Sequence, residues 1–234
     1  MTGIQQDIFG NLVMFCGLLI LARKTPRRSH FWLRLLIGFG MFSLVRYGIF
    51  TGVLPHLTGW DRLLRLTLAF TSFIPLLMWA SMACWEMDVW AALHCGSAAY
   101  CLQHIVNAGY DVIRLQILPA GRPWAYFVSY GALAAAVLLI NWLMVKRQGV
   151  QRVTIDKKSP LLTSLVVILS AIVLNLLATS AIYQCPVKAK VIVKYYSMIA
   201  AGMIICYQFT SVASRDREME NNTLHALLEE QREQ

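Results

Sequence analysis

The sequence predicts an all-α, polytopic transmembrane helix bundle, and three observations carry that expectation. Of 234 residues, 58% are hydrophobic and only 14% are charged, against roughly 25% charged in an average soluble protein. Apolar stretches long enough to cross a hydrocarbon core of about 30 Å recur along most of the chain. Basic residues gather in the short connections between those stretches, as expected of loops held on the cytoplasmic side.

Hydropathy and helix breakers place seven spans at residues 8–22, 31–51, 63–84, 89–113, 124–145, 160–183 and 191–212. The first is short and the fourth polar, so six spans is the alternative. Met1 to Gly10 lacks a basic leader region and no small-residue cleavage site follows Leu21, so the first apolar run is expected to stay as a span. With the N-terminus outside and the C-terminus inside, 12 of the 21 Lys and Arg fall in cytoplasmic segments and five in outer ones. The other four, Arg34, Arg46, Arg65 and Lys194, lie within spans. Residues 1–212 therefore form the bundle, and 213–234 leave it.

The net charge of +9 sits where loops meet anionic headgroups of a lipid bilayer. No basic tract is interleaved with aromatics, so no nucleic-acid partner is expected. Six cysteines, at 16, 84, 95, 101, 185 and 206, form no CxxC pair, and five fall in or at the ends of apolar runs. There Cys behaves as a small buried hydrophobe, and no disulfide framework is implied.

The fourth span is the most informative segment. At 100° per residue, Ser97, Tyr100, His104, Asn107, Asp111 and Arg114 form one stripe, with Gln103 and Tyr110 beside it. The opposite face, Ala98, Leu102, Ile105, Val112 and Ile113, suits lipid or other helices. Polar groups at membrane depth are costly, so the stripe should point inward. Three roles stay open: hydrogen-bonded glue between helices, a ligand or signal pocket opening toward the outer face at Asp111 and Arg114, or a path for protons or ions. Arg46, in the outward half of the second span, either snorkels to the interface or pairs with Asp111. Asn175 and Pro75 read as packing and kink features.

Catalytic signatures are missing: there is no phosphate loop, no HExxH and no paired acids at matched depth. His94, Cys101 and His104 share one side of a helix, but an axial spread of roughly 15 Å keeps them from meeting one ion. No catalytic residue, metal or cofactor is therefore assigned to this chain.

After Val212 the composition turns to Ser214-Arg-Asp-Arg-Glu-Met-Glu-Asn-Asn and then to Thr223-Leu-His-Ala-Leu-Leu-Glu-Glu-Gln-Arg-Glu-Gln234. Leu224, Leu227 and Leu228 make a short apolar stripe suited to the start of a parallel helix pairing. No Gly or Pro stop follows, as expected of a helix cut within its pattern.

At Ser97-Ala-Ala-Tyr-Cys-Leu-Gln-His-Ile105, and again at Leu224-His-Ala-Leu-Leu-Glu-Glu-Gln-Arg-Glu-Gln234, the chain resembles the membrane sensor regions of bacterial sensor histidine kinases with a GHKL-type ATPase domain, relatives of the accessory-gene-regulator peptide receptors. Tyr100, Gln103 and His104 match a Tyr-x-x-Gln-His element of their mid-bundle helix, with Ala99 where Gly is frequent. The resemblance implies a homodimeric, multi-pass sensor in the bacterial cytoplasmic membrane, with a peptide or small-molecule signal and a two-component response regulator downstream. Residues 213–234 would begin its dimerisation helix, although His225 lacks the setting of a phosphoacceptor. ATP and magnesium would belong only to a kinase part beyond these residues. A small transporter or channel, and a membrane scaffold without a ligand, are the alternatives.

Overall fold

The computed structural model describes residues 3–49, 59–116, 123–147 and 186–233, together with Leu169 and Val173. The described residues form six helices: α1 (Gly3–Leu21), α2 (Phe31–Gly48), α3 (Gly59–Cys84), α4 (Val89–Gln116), α5 (Pro123–Arg147) and α6 (Val187–Glu233). The protein is all-helical, and the only extended pairing among these residues is one antiparallel bridge between Arg27 and Trp85. The expected sixth span, 160–183, lies outside the described residues except for Leu169 and Val173, both helical and exposed. Asn175 lies outside them as well.

Helix boundaries follow local chemistry. Ala22 and Thr25 close the end of α1 with turn hydrogen bonds, and Pro26 then bars a continuous helix. Asp88 caps α4: its Oδ1 accepts the Ala91 amide at 2.7 Å, satisfying one of the orphan donors of the first turn. Pro123 opens α5 at the position where a missing N–H costs nothing. Pro186 precedes α6, its carbonyl accepting the Lys190 amide at 3.1 Å. Pro75 sits inside α3 on an exposed side.

Among the described residues, two helices, Trp124–Lys146 within α5 and Ala189–Gln208 within α6, are long and apolar enough to cross a membrane. Ile8–Leu21 and Ser72–Cys84 are shorter apolar segments, and α4 is diluted by its polar stripe. The last helix departs most from expectation. The anticipated span at 191–212 and the charged tail are one uninterrupted helix of 47 residues, about 70 Å long at 1.5 Å per residue. No local breaker separates Val212 from the charged segment, so backbone hydrogen bonding simply continues.

Helix α4 is the axis of the bundle. It buries residues on all its sides, packed by α1, α3, α5 and α6, while α2 lies outside against α1 and α3. The apolar face expected to meet lipid or other helices thus meets helices. Small residues permit this crowding: a Cβ on Gly96 would stand 3.3 Å from the Met78 backbone nitrogen of α3 and from Leu77 Cβ. The main core gathers Met14, Leu18, Phe42, Phe73, Leu77 and Tyr100 around this axis.

Polarity is arranged in reverse of a water-soluble bundle. Outward positions carry Trp32, Leu36, Leu44, Ile140, Tyr196 and Met203, whereas Asn11, Arg46, Ser97, Gln103, His104 and Gln208 are buried. A soluble domain exposes large apolar side chains singly rather than as whole helix faces.

Two turns at one end are clasped together. The Arg28 amide donates to the Cys84 carbonyl at 3.0 Å and the Glu86 amide to the Pro26 carbonyl at 2.9 Å. Arg28 Nε donates to the Trp85 carbonyl at 3.1 Å, and Trp85 packs edge-on against Phe31 with centroids 5.1 Å apart. The α1–α2 and α3–α4 connections therefore share one end of the bundle. His30, at φ 55°, makes the left-handed turn into α2.

Candidate functional site

The polar stripe of α4 does point inward, and its burial is graded along the helix. Ser97, Tyr100 and His104 are buried, Asn107 and Asp111 are half-buried, and Arg114 is exposed. Its polar groups are divided between α5 and α6. Ser97 Oγ accepts a hydrogen bond from Gln208 Nε2 of α6 at 2.7 Å and donates to the His94 carbonyl at 3.0 Å. Asn107 Oδ1 accepts the Tyr130 hydroxyl of α5 at 2.8 Å. Asp111 Oδ2 meets Lys194 Nζ of α6 at 2.8 Å, and Asp111 Oδ1 lies 3.6 Å from Arg114 Nη2.

The Asp111–Lys194 and Ser97–Gln208 contacts are fourteen residues apart on both helices, so α4 and α6 run antiparallel in one register, joined at points about 21 Å apart. That register sets His104 at the level of Ala201, midway between the two contacts. Ala201 is fully buried and offers no polar side-chain atom. His104 Nε2 is correspondingly buried without a hydrogen-bond partner. Its ring lies 6.3 Å from that of Tyr100. A buried polar atom of this kind carries a desolvation cost of about 1–3 kcal/mol, which a ligand group donating or accepting there would relieve.

Arg46 does neither of the two things anticipated for it. It is buried, and its Nη1 donates to Asn11 Oδ1 at 2.8 Å, while Asn11 Nδ2 donates to Ser43 Oγ at 2.9 Å. Its guanidinium also stands 5.3 Å from the centroid of the Phe73 ring. Asp111 is engaged by Lys194 and Arg114 instead. The reason is lateral packing: α2 rests on α1 and α3, and the helix beside Asp111 is α6. Register adds to it: Arg46 Nη1 reaches the level of Gln103, eight residues or about 12 Å along α4 from Asp111, whereas Lys194 lies level with Asp111.

Gln103, flanking the stripe, turns toward α1. A Cβ on Gly10 would fall 3.1 Å from Gln103 Nε2 and 3.6 Å from Arg46 Nη1, so the bare glycine makes room for both. The candidate site thus has two parts: Tyr100, His104, Asn107, Asp111 and Arg114 toward α5 and α6, and Gln103 with Arg46 toward α1. Among the described residues, no three His, Cys, Asp or Glu side chains come together as metal ligands. Leu224, Leu227 and Leu228 lie on α6, and their side chains are outside the described residues.

Lys194, Gln208, Tyr130 and Asn11 are the polar partners that sequence reasoning did not single out. A signal existed for Lys194, since it and Asp111 are lone opposite charges near the same ends of antiparallel spans. For the uncharged partners, nothing in their spacing distinguished them. No protein-family model matches the chain, and comparison with curated proteins and with solved structures returns no match.

Proposed function

We propose that the chain is the membrane-embedded sensor module of a two-component histidine kinase: a seven-span bundle, N-terminus out and C-terminus in. It relays an outer-face or intramembrane signal to a paired cytoplasmic helix. The observation that carries this reading is the double attachment of α4 to α6. The polar stripe, where a peptide or small molecule would act, is bonded through Asp111–Lys194 and Ser97–Gln208 to the 47-residue helix that continues past Gln208 to Glu233. A ligand that competes for Asp111 or fills the space at His104 changes the free energy of one α4–α6 register relative to another, which is what a two-state relay requires. The outward apolar faces and inward polar groups support the bilayer setting.

Single cysteines placed at Leu224 and Leu227 should crosslink dimers in mild detergent. The native gene should read in frame past Gln234 into a phosphoacceptor helix and a GHKL ATPase domain. A monomer in detergent, together with solute accumulation by the protein in proteoliposomes, would replace this reading with a small transporter that uses the stripe as its path.

A further inference from the structure

Outside the polar axis, α2 and α3 enclose an apolar groove of about 230 Å³ lined by Gly38, Met41, Phe42, Val45, Leu76 and Trp79. Its walls are helical stripes. On α2, Arg34, Gly38, Met41 and Val45 follow at spacings of four, three and four, so Arg34 stands in line with the groove at one end. On α3, Leu76, Trp79 and Ala83 follow at three and four, and Arg34 Nη1 donates to the Ala83 carbonyl at 3.1 Å. A guanidinium therefore lies one helical turn beyond the end of an otherwise apolar slot.

Arg34 has charge left to satisfy. Its guanidinium carries five donors, one is spent on Ala83, and among the described residues no carboxylate pairs with it. The connection beside it adds exposed Lys24, Arg27 and Arg28. The facing turn carries two acids, Glu86 and Asp88, fewer than the four cations Lys24, Arg27, Arg28 and Arg34, and Asp88 is turned to the first turn of α4. This end of the groove is thus a net positive rim above a slot for hydrocarbon.

We infer that this groove binds one acyl chain of an anionic phospholipid, whose phosphate is held by the Arg34 guanidinium at the clasped end of the bundle. The site rests on the bilayer setting proposed above, and on that topology it faces the cytoplasmic leaflet, where anionic lipids are concentrated. The groove runs about 10 Å from Gly38 to Val45, a length that takes part of one chain. Arg suits the headgroup because its planar fork grips phosphate through paired hydrogen bonds.

The test is native mass spectrometry of the detergent-purified chain after exchange with phosphatidylglycerol or phosphatidylcholine, preceded by alkaline carbonate extraction of the membranes. One phosphatidylglycerol per chain should survive activation that strips phosphatidylcholine. Arg34→Gln, which keeps a donor for Ala83, should lower that preference on the order of tenfold. Val45→Trp, which fills the slot from its exposed lip and leaves Arg34 in place, should reduce retention of both lipids. Release of the chain by carbonate would sink the bilayer reading and the lipid site together. A membrane-integral chain that keeps both lipids equally and ignores Val45→Trp would sink the site alone.

Discussion

Asp111 of α4 and Lys194 of α6 meet at 2.8 Å with side chains 17% and 14% exposed, and fourteen residues away on each helix Ser97 meets Gln208. The ion pair brings together two charges that would each be costly to bury alone, and it sets the register of α6 against α4.

Removing one partner should therefore cost more than removing both. Asp111→Asn or Lys194→Met alone should each lose about 1–3 kcal/mol of stability, partly recovered in the double variant, because a lone half-buried charge is worse than none. Thermal unfolding in detergent measures the cycle. Asp111→Asn should lose the same amount with Arg46→Ala as without it; a smaller loss in that background would mean that Arg46 shares the carboxylate.

His104→Phe keeps an aromatic ring at the position, one atom larger, and deletes the buried Nε2 that has no partner. The variant should melt higher, by an amount corresponding to about 1 kcal/mol. A lower melting temperature would show that the imidazole holds the bundle together rather than waiting for a ligand. If the sensor reading is right, the same variant should lose its signal response while gaining stability.

Gly96 and Gly131 make an internal control for packing. A side chain at Gly96 runs into the backbone of α3 at 3.3 Å, whereas nothing stands within 4 Å of a Cβ at Gly131. Gly96→Val should destabilise by about 1–3 kcal/mol through overpacking. Gly131→Ala should be neutral or should gain up to about 1 kcal/mol of helix propensity. Equal effects at the two positions would contradict the close α3–α4 approach.

The clasp between the two turns makes a topological prediction. In a cysteine-free background, cysteines at Lys24 and Glu86 should be labelled from one side of the membrane, and those at Leu115 and Val187 from the other. Labelling of Lys24 and Glu86 from opposite sides would break the paired turns. A cysteine at Gln151, outside the described residues, should label only from the cytoplasmic side if the seven-span topology holds.

Helical class, the starts of α2, α4 and α5, and the inward turn of Ser97, Tyr100 and His104 were legible in the chain. Each depends on local rules: apolar length, a Pro or Asp at a helix start, and the 3.6-residue period that gathers polar groups on one side. The 47-residue length of α6 was legible only in part, because a change from apolar to charged composition marks a change of solvent and not a break in backbone hydrogen bonding. Partner choice was decided by tertiary structure. Sequence spacing allowed either Arg46 or Lys194 as the cation for Asp111, because it fixes neither the register nor the azimuth of one helix against another; in the fold Arg46 reaches the level of Gln103 instead. The lateral placement of α6 beside α4, with α2 displaced onto α1 and α3, gave Asp111 to Lys194 and left Arg46 to Asn11. The isolation of His104 has the same origin, since it follows from an alanine on a helix ninety-seven residues further along the chain arriving at its level.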